Sequence, residues 1–240
     1  TLDEVKSSQV NVFLACEEDF TIEYGVENSK AGVFAFDSLS QATDLLKKGD
    51  LDALVTAPIN KKAIQSADFE FPGHTEYLQS IDEAEDSLML MLSEKARIGV
   101  VTGHIPLGDV GNHLSAELIL KKISILNKSL KEDFNIRKPK IAIMGLNPHA
   151  GDNGLLGKEE EEIIIPAINQ AKSIGILAFG PYAADGFFGS SNYNEFDGIL
   201  AMYHDQGLVP FKSLSFGNGV NFTAGLPIVR TSPDHGTGFD

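Results

Sequence analysis

The sequence predicts an α/β protein, and three observations carry the prediction. Short apolar runs alternate with stretches of helical periodicity. Several of these runs are apolar throughout, as strands are when helices cover both faces of a parallel sheet. The composition, 42% hydrophobic and 22% charged, suits a globular chain with a sizeable core.

The elements follow in order. Val10–Ala15, Ala53–Thr56, Ile98–Thr102, Ile141–Gly145, Ile199–Tyr203 and Ile228–Thr231 read as strands. Ser40–Lys48, Leu114–Lys131 and Lys158–Ser173 read as helices. In the second, Leu114, Leu118 and Ile125 keep helical spacing, with Lys121 and Lys122 to the outside. The third opens on Lys158-Glu159-Glu160-Glu161-Glu162, which reads as a solvated first turn favoured by the helix dipole. Ser213–Ala224 is glycine-punctuated and β-like, fitting an antiparallel element. Residues 1–240 read as a single α/β unit, with no lobe boundary marked. The chain opens without Met and closes on DHGTGFD, a turn leading toward a helix, so both termini read as truncated.

The formal net charge of −15 argues against general nucleic-acid binding and against docking on anionic membranes. A small anionic substrate stays compatible, since it needs only a few placed cations. No apolar run approaches a membrane span, and TLDEVKSSQV lacks the basic start and apolar stretch of a signal peptide. Cys16, the single cysteine, cannot form an internal disulfide and reads as a small buried hydrophobe. Together these features fit the cytoplasm.

Three histidines occupy matching places. His104 ends RIGVVTGH, His149 follows IAIMGLNP, and His204 ends GILAMYH. Each lies just past the carboxyl end of an apolar strand, the edge where open α/β sheets bind ligands. They are too far apart in sequence for a zinc finger, but they suit three βα units sharing one pocket. Three imidazoles with open positions make a catalytic site for Zn²⁺ or another divalent first-row ion. His113 has no such strand before it and reads as structural. Asp205, beside His204, and Asp185, in GPYAADGFFG, are placed to orient a ligand imidazole or to act as a general base.

A second group suits anions. FPGHTEYL puts His74 and Thr75 at a helix start, where free backbone N–H groups attract phosphate or carboxylate. Lys212, Asn221 and Arg230 follow along FKSLSFGNGVNFTAGLPIVR; Arg grips such anions bidentately and Lys adds a point charge. The glycine-rich GLNPHAGDNGLLG is not a dinucleotide fingerprint, and no Walker A motif or nucleophile elbow is present. The residues alone thus give a metal site beside an anion site and no nucleotide motif.

DALVTAPINK, FPGHTEYL, VTGHIPL, GLNPHAGDNGLLGKEE, AMYHDQGLVPFK and GVNFTAGLPIVRTSPDHGT resemble, in order, the signature segments of 4-hydroxythreonine-4-phosphate dehydrogenases. The likeness runs from about Asp52 to the end. It implies an isocitrate/isopropylmalate-dehydrogenase-like fold, two lobes sharing a mostly parallel sheet with some antiparallel strands. It implies a homodimer with shared active sites, a divalent metal (Zn, Mg or Co) on His104, His149 and His204, and NAD or NADP as cofactor. Substrate contacts fall on His74, Thr75, Lys212, Asn221 and Arg230; Asp205, Asp185 and Lys212 take the catalytic places. DHGTGFD is similar to the turn that meets the adenosine of NAD, which points to His235, Gly236 and Thr237. Gly238 stands where related enzymes often carry alanine, and the family's opening GDPAGIG-type loop is absent. The implied reaction is NAD-dependent oxidation of 4-phosphohydroxy-L-threonine to a β-keto acid that decarboxylates to 3-amino-2-oxopropyl phosphate, in vitamin B6 synthesis. The alternatives are dehydrogenases of threonate or erythronate 4-phosphate, dehydrogenases of aromatic cis-dihydrodiols, or a non-catalytic metal- or phosphate-binding module. Retention of Lys212 and Arg230 favours a phosphorylated substrate.

Overall fold

The computed structural model describes residues 5–16, 21, 23–65, 69–71, 73–81, 86–234 and 236. Regular structure begins at Asn28, whose side-chain oxygen accepts from the Lys30 and Ala31 amides and caps α1 (Ser29–Lys47). This helix starts well before the expected Ser40, because the cap sets its beginning. Next come β1 (Ala53–Val55), α2 (Lys61–Ile64), α3 (His74–Ile81), β2 (Leu88–Leu92) and β3 (Arg97–Val100). Then follow α4 (Val110–His113), α5 (Ala116–Glu132), β4 (Lys140–Met144), α6 (Ile165–Ser173), β5 (Leu177–Tyr182) and α7 (Ala184–Gly189). The last elements are β6 (Gly198–Ala201), α8 (His204–Ser215), β7 (Val220–Ala224) and β8 (Val229–Pro233).

The strands form one eight-stranded sheet in the order β1-β8-β7-β2-β3-β6-β4-β5. Pairings β1–β8, β3–β6, β6–β4 and β4–β5 are parallel; β8–β7, β7–β2 and β2–β3 are antiparallel. This mixed, mostly parallel sheet is the arrangement of the isocitrate/isopropylmalate-dehydrogenase-like fold.

Alternate residues of the central strands face opposite layers. Ile141, Ile143 and Leu200 pack with Ile119, Ile123, Leu126 and Leu130 of α5 and with α6. Ala142, Met144, Ile199 and Ala201 pack on the other side with Phe187 of α7 and Leu208 and Phe211 of α8. Both faces are covered, which explains the unbroken apolar runs. A separate core at the β1 end gathers Leu39, Leu54, Ile64 and Leu78 around Phe36, Phe69, Phe71 and Tyr77.

Several expectations need correction. Val10–Ala15 joins no strand, and Val10 and Val12 lie almost fully in solvent. A β-rich run without a neighbour to hydrogen-bond makes no strand. The strands LMLML and LAFGPY were not anticipated; neither shows the alternation that marks a half-buried strand. Ser213–Ala224 splits, its start finishing α8 and its end forming antiparallel β7. Lys122 is not outside: it is buried, bonded to Asp86 at 2.8 Å and to the Ser87 carbonyl at 2.6 Å. Glu160 is likewise buried rather than solvated. Cys16 is half-buried. His113 ends α4, its Nδ1 lying 2.8 Å from the Asp109 carbonyl oxygen. Among the described residues no helix is long and apolar enough to cross a membrane.

Candidate active site

β3, β6 and β4 are adjacent and parallel, so their carboxyl ends share one edge of the sheet. His104, His204 and His149 follow them in turn, each in the loop or helix start just past that edge. The imidazoles of His104 and His204 come together, with ring centroids 5.2 Å apart. They line an open cavity of about 540 Å³ with Gly103, Ile105, Leu107, Val110, Tyr203 and Asp205.

His204 is the first residue of α8. That helix lies close on the sheet because Gly207 has no side chain; a Cβ there would meet Val100 Cγ1 at 3.0 Å. Asp205 Oδ1 accepts the His204 Nδ1–H at 2.7 Å, which leaves Nε2 with its lone pair for a cation. Neighbouring atoms desolvate His104 although its ring reaches solvent. This, with positive charge from Lys61, outweighs Glu76 and holds the imidazole below its ordinary pKa.

His149 sits in the turn Pro148–Gly151 after β4, exposed, with a left-handed φ of 54°. Among the described residues, no three His, Cys, Asp or Glu side chains converge closely enough to hold an ion. The pair has the right spacing for one. Two imidazoles sharing a tetrahedral cation, each nitrogen about 2.1 Å from it, place their ring centroids about 5 Å apart. The spacing of His104 and His204 therefore suits a divalent ion, while His149 lies in the neighbouring loop and does not converge with them. Asp185 is exposed in the first turn of α7, which packs against the His149 turn.

The anion group assembles at the other end of the sheet. Arg230 of β8 is buried; its guanidinium donates to Thr223 Oγ1 at 3.2 Å and to Thr56 Oγ1 at 2.7 Å. Its Nε–H, also buried, has no partner, and neither has the buried Asn221 Oδ1. Asn221 pairs with Ser232 across the β7–β8 ladder, so Asn221, Thr223 and Arg230 share one face. Buried polar atoms are ordinarily satisfied, so an unpaired guanidinium N–H makes Arg230 a candidate ligand contact. Burial lowers the Arg230 pKa and Glu76 opposes it; the group stays cationic.

His74 begins α3, as expected, with Thr75 next and Glu76 in the same turn. Burial, and then the Arg230 charge, push its pKa down to about 4, so it is neutral near pH 7. It lines a cavity of about 250 Å³ with Leu54, Thr56, Pro58 and Ile59. Glu76 acts on both Arg230 and His104, so the two clusters share an electrostatic neighbourhood. Lys212 lies two turns along α8 from His204 and is exposed, paired with Asp234 at 3.3 Å. Of the expected nucleotide contacts, Gly236 is exposed, while His235 and Thr237 lie outside the described residues.

Sequence reasoning missed Thr56, Lys61, Gln206 and Glu160. Thr56 follows β1 at the same kind of strand-end position as the histidines, but it carries no charge to mark it. Gln206 ties two of the loops: its Oε1 accepts from the Met202 amide at 2.7 Å and its Nε2 donates to the Gly145 carbonyl at 2.6 Å. Only contact across the sheet reveals that role.

Comparison with known proteins gives the chain's family. The family model described as pyridoxal phosphate biosynthetic protein PdxA matches residues 2–240. The chain is 49% identical over 241 residues to a 4-hydroxythreonine-4-phosphate dehydrogenase of Bacteroides thetaiotaomicron, covering 100% of this chain and 66% of the relative. It is 42% identical over 219 residues to a D-threonate 4-phosphate dehydrogenase of Salmonella typhimurium, covering 91% and 67%. The crystal structure of a 4-hydroxythreonine-4-phosphate dehydrogenase from Klebsiella pneumoniae superposes with a TM-score of 0.82 at 39% identity, covering 90% and 66%. The chain thus spans about two thirds of the length of the relatives it matches.

Proposed function

Since the chain belongs to the pyridoxal phosphate biosynthetic protein PdxA family, we propose that it serves NAD-dependent, divalent-metal-dependent oxidation of 4-phosphohydroxy-L-threonine in vitamin B6 synthesis. The product is a β-keto acid that loses CO2 to give 3-amino-2-oxopropyl phosphate. The observation that carries this reading is the buried Arg230, whose unpartnered Nε–H lies in the corner shared with neutral His74.

Thr56 and Thr223 hold the guanidinium in place before any ligand arrives. Arg230 then supplies the charge for a phosphate or carboxylate, and Asn221 Oδ1 accepts a hydrogen bond from the substrate. His74 is neutral and adds hydrogen bonding rather than charge; Thr75 and the N-terminus of α3 add donors. Lys212 supplies the cation for the second anionic group by exchanging Asp234 for substrate. His104, His149 and His204 would hold a divalent ion, which would supply Lewis-acid polarisation of a bound hydroxyl, and a nicotinamide cofactor would supply the hydride acceptor. Asp205 keeps His204 in the ligating tautomer through Oδ1, leaving Oδ2 to take the hydroxyl proton. Asp185 is the second candidate base. Gly236, with His235 and Thr237, belongs to the nucleotide contact.

The active unit is a homodimer in the cytoplasm. Leu107, Leu155 and Val209 are exposed apolar side chains on or beside the histidine loops, a surface a second copy would cover. The test is NADH absorbance with 4-phosphohydroxy-L-threonine, with and without chelator. Turnover that stops with chelator is expected; chelator-resistant turnover would sink the metal role. D-Threonate 4-phosphate is the second substrate to compare, because the Salmonella relative carries that name. Faster turnover of that acid would reassign the substrate within the same site.

A further inference from the structure

The loop that carries His149 is strained. Residues 149–154 all have positive φ, including the non-glycine His149, Ala150, Asp152 and Asn153. L-residues resist this conformation, so surrounding contacts must impose it. One buried carboxylate anchors the residues that lead into the loop. Glu160, 2% exposed, accepts the Leu146 and Asn147 amides through Oε1, both at 2.7 Å. Its Oε2 accepts from Asn147 Nδ2 at 2.9 Å, and Glu159 takes the other hydrogen of that amide at 2.7 Å. Glycines make room for the clamp. A Cβ at Gly151 would lie 2.6 Å from Glu160 Oε2, and one at Gly157 2.3 Å from Asn147 Nδ2. Two of the glycines spaced three apart in GLNPHAGDNGLLG thus seat a carboxylate rather than a phosphate.

We propose that Glu160 is a positioning residue: its carboxylate fixes the start of the strained loop so that His149 is presented to the cation site. This rests on reading His149 as a metal ligand. The carboxylate touches neither substrate nor ion and acts only through the Leu146 and Asn147 backbone. Residues that orient a ligand in this way typically change metal affinity by roughly 10–100-fold.

The test is Co²⁺ titration of the intact protein by calorimetry, with amide hydrogen exchange of residues 146–157. In Glu160→Ala, Co²⁺ affinity should fall roughly 10–100-fold and the Leu146 and Asn147 amides should exchange faster, while distant amides keep wild-type rates. Glu160→Gln, which keeps an acceptor for both amides, should recover most of the affinity. A merely structural role would raise exchange everywhere and show no such rescue. Should Glu160→Ala fail to fold, Glu160→Asp decides, its carboxylate drawn back by one methylene; weaker Co²⁺ binding supports the proposal. Wild-type affinity in the folded variant, with His149→Ala impaired, overturns it. Wild-type affinity in His149→Ala overturns the ligand reading itself, and the proposal with it.

Discussion

At the β1–β8 end of the sheet, a cation is buried before any ligand is present. Arg230 is enclosed, two threonine hydroxyls hold it, and the adjacent His74 is kept neutral. At the β3–β6–β4 edge the candidate ligands themselves are left open, and the one buried carboxylate described there, Glu160, is already satisfied by the Leu146 and Asn147 amides. His104 and His149 reach solvent, and His204 is hydrogen-bonded to the exposed Asp205. The contrast follows from the groups themselves. A guanidinium cannot shed its charge, so burying it requires built-in acceptors. Neutral imidazoles cost little to leave open until an ion arrives. The anion corner should therefore contribute to folding as well as binding, while the three histidines contribute to binding alone.

Two substitutions test that division. His204→Ala should have the largest effect on activity, since a metal's charge stabilisation is worth several kcal/mol; a loss above about 10³-fold in kcat/KM is expected. Its thermal midpoint without metal should stay close to wild type. Arg230→Met should lower kcat/KM by roughly 10²–10³-fold, about 3–4 kcal/mol for a buried charged donor. It should also destabilise the apo protein by about 1–3 kcal/mol, because Thr56 and Thr223 lose their donor inside the protein. Arg230→Lys should rescue neither, lacking the fork that meets two hydroxyls and an anion together. Urea unfolding of both variants would break the comparison if their stability losses were equal.

The two regions were not equally legible in the sequence. The histidine edge could be read because strand ends are marked by apolar runs and the fold brings parallel strand ends together. Even so, nothing in the pattern gave the adjacency of β3, β6 and β4, which depends on non-local pairing. At the anion corner Arg230 could be named, but not its burial, because its holders Thr56 and Thr223 come from different strands. Glu160 was hidden most completely. Within a run of glutamates it looks like a solvated turn, and only the fold shows that one of them points inward to the His149 loop. Lys122 misled for the same reason, since a lysine on an amphipathic helix is buried only where a partner such as Asp86 waits across the chain.

Asp205→Asn sharpens the comparison at smaller scale. Asparagine keeps an acceptor for the His204 Nδ1–H but loses the charge that strengthens it. A roughly 10–100-fold fall in metal affinity is expected, measured by competition with a chromophoric chelator. Because Asp205 is exposed, its removal should leave apo stability unchanged, again unlike the anion corner.

The smallest effect concerns acid. The folded-state pKa of His74 is about 4, below its ordinary 6.5, through burial and then the Arg230 charge. Between these values the unfolded chain binds a proton that the folded chain refuses. His74's contribution to stability is therefore complete above about pH 6.5 and declines as the pH falls toward 4. The ceiling for one such group is about 1.4 kcal/mol per pH unit, and solvent screening at this half-buried position keeps the slope lower. His74→Gln should flatten the slope in urea-unfolding midpoints across that window. Saturating inorganic phosphate should flatten it too, since an anion on Arg230 offsets the charge that helps keep His74 neutral. If phosphate leaves the slope unchanged, His74 and Arg230 do not share an anion, and the corner loses its claim to bind one.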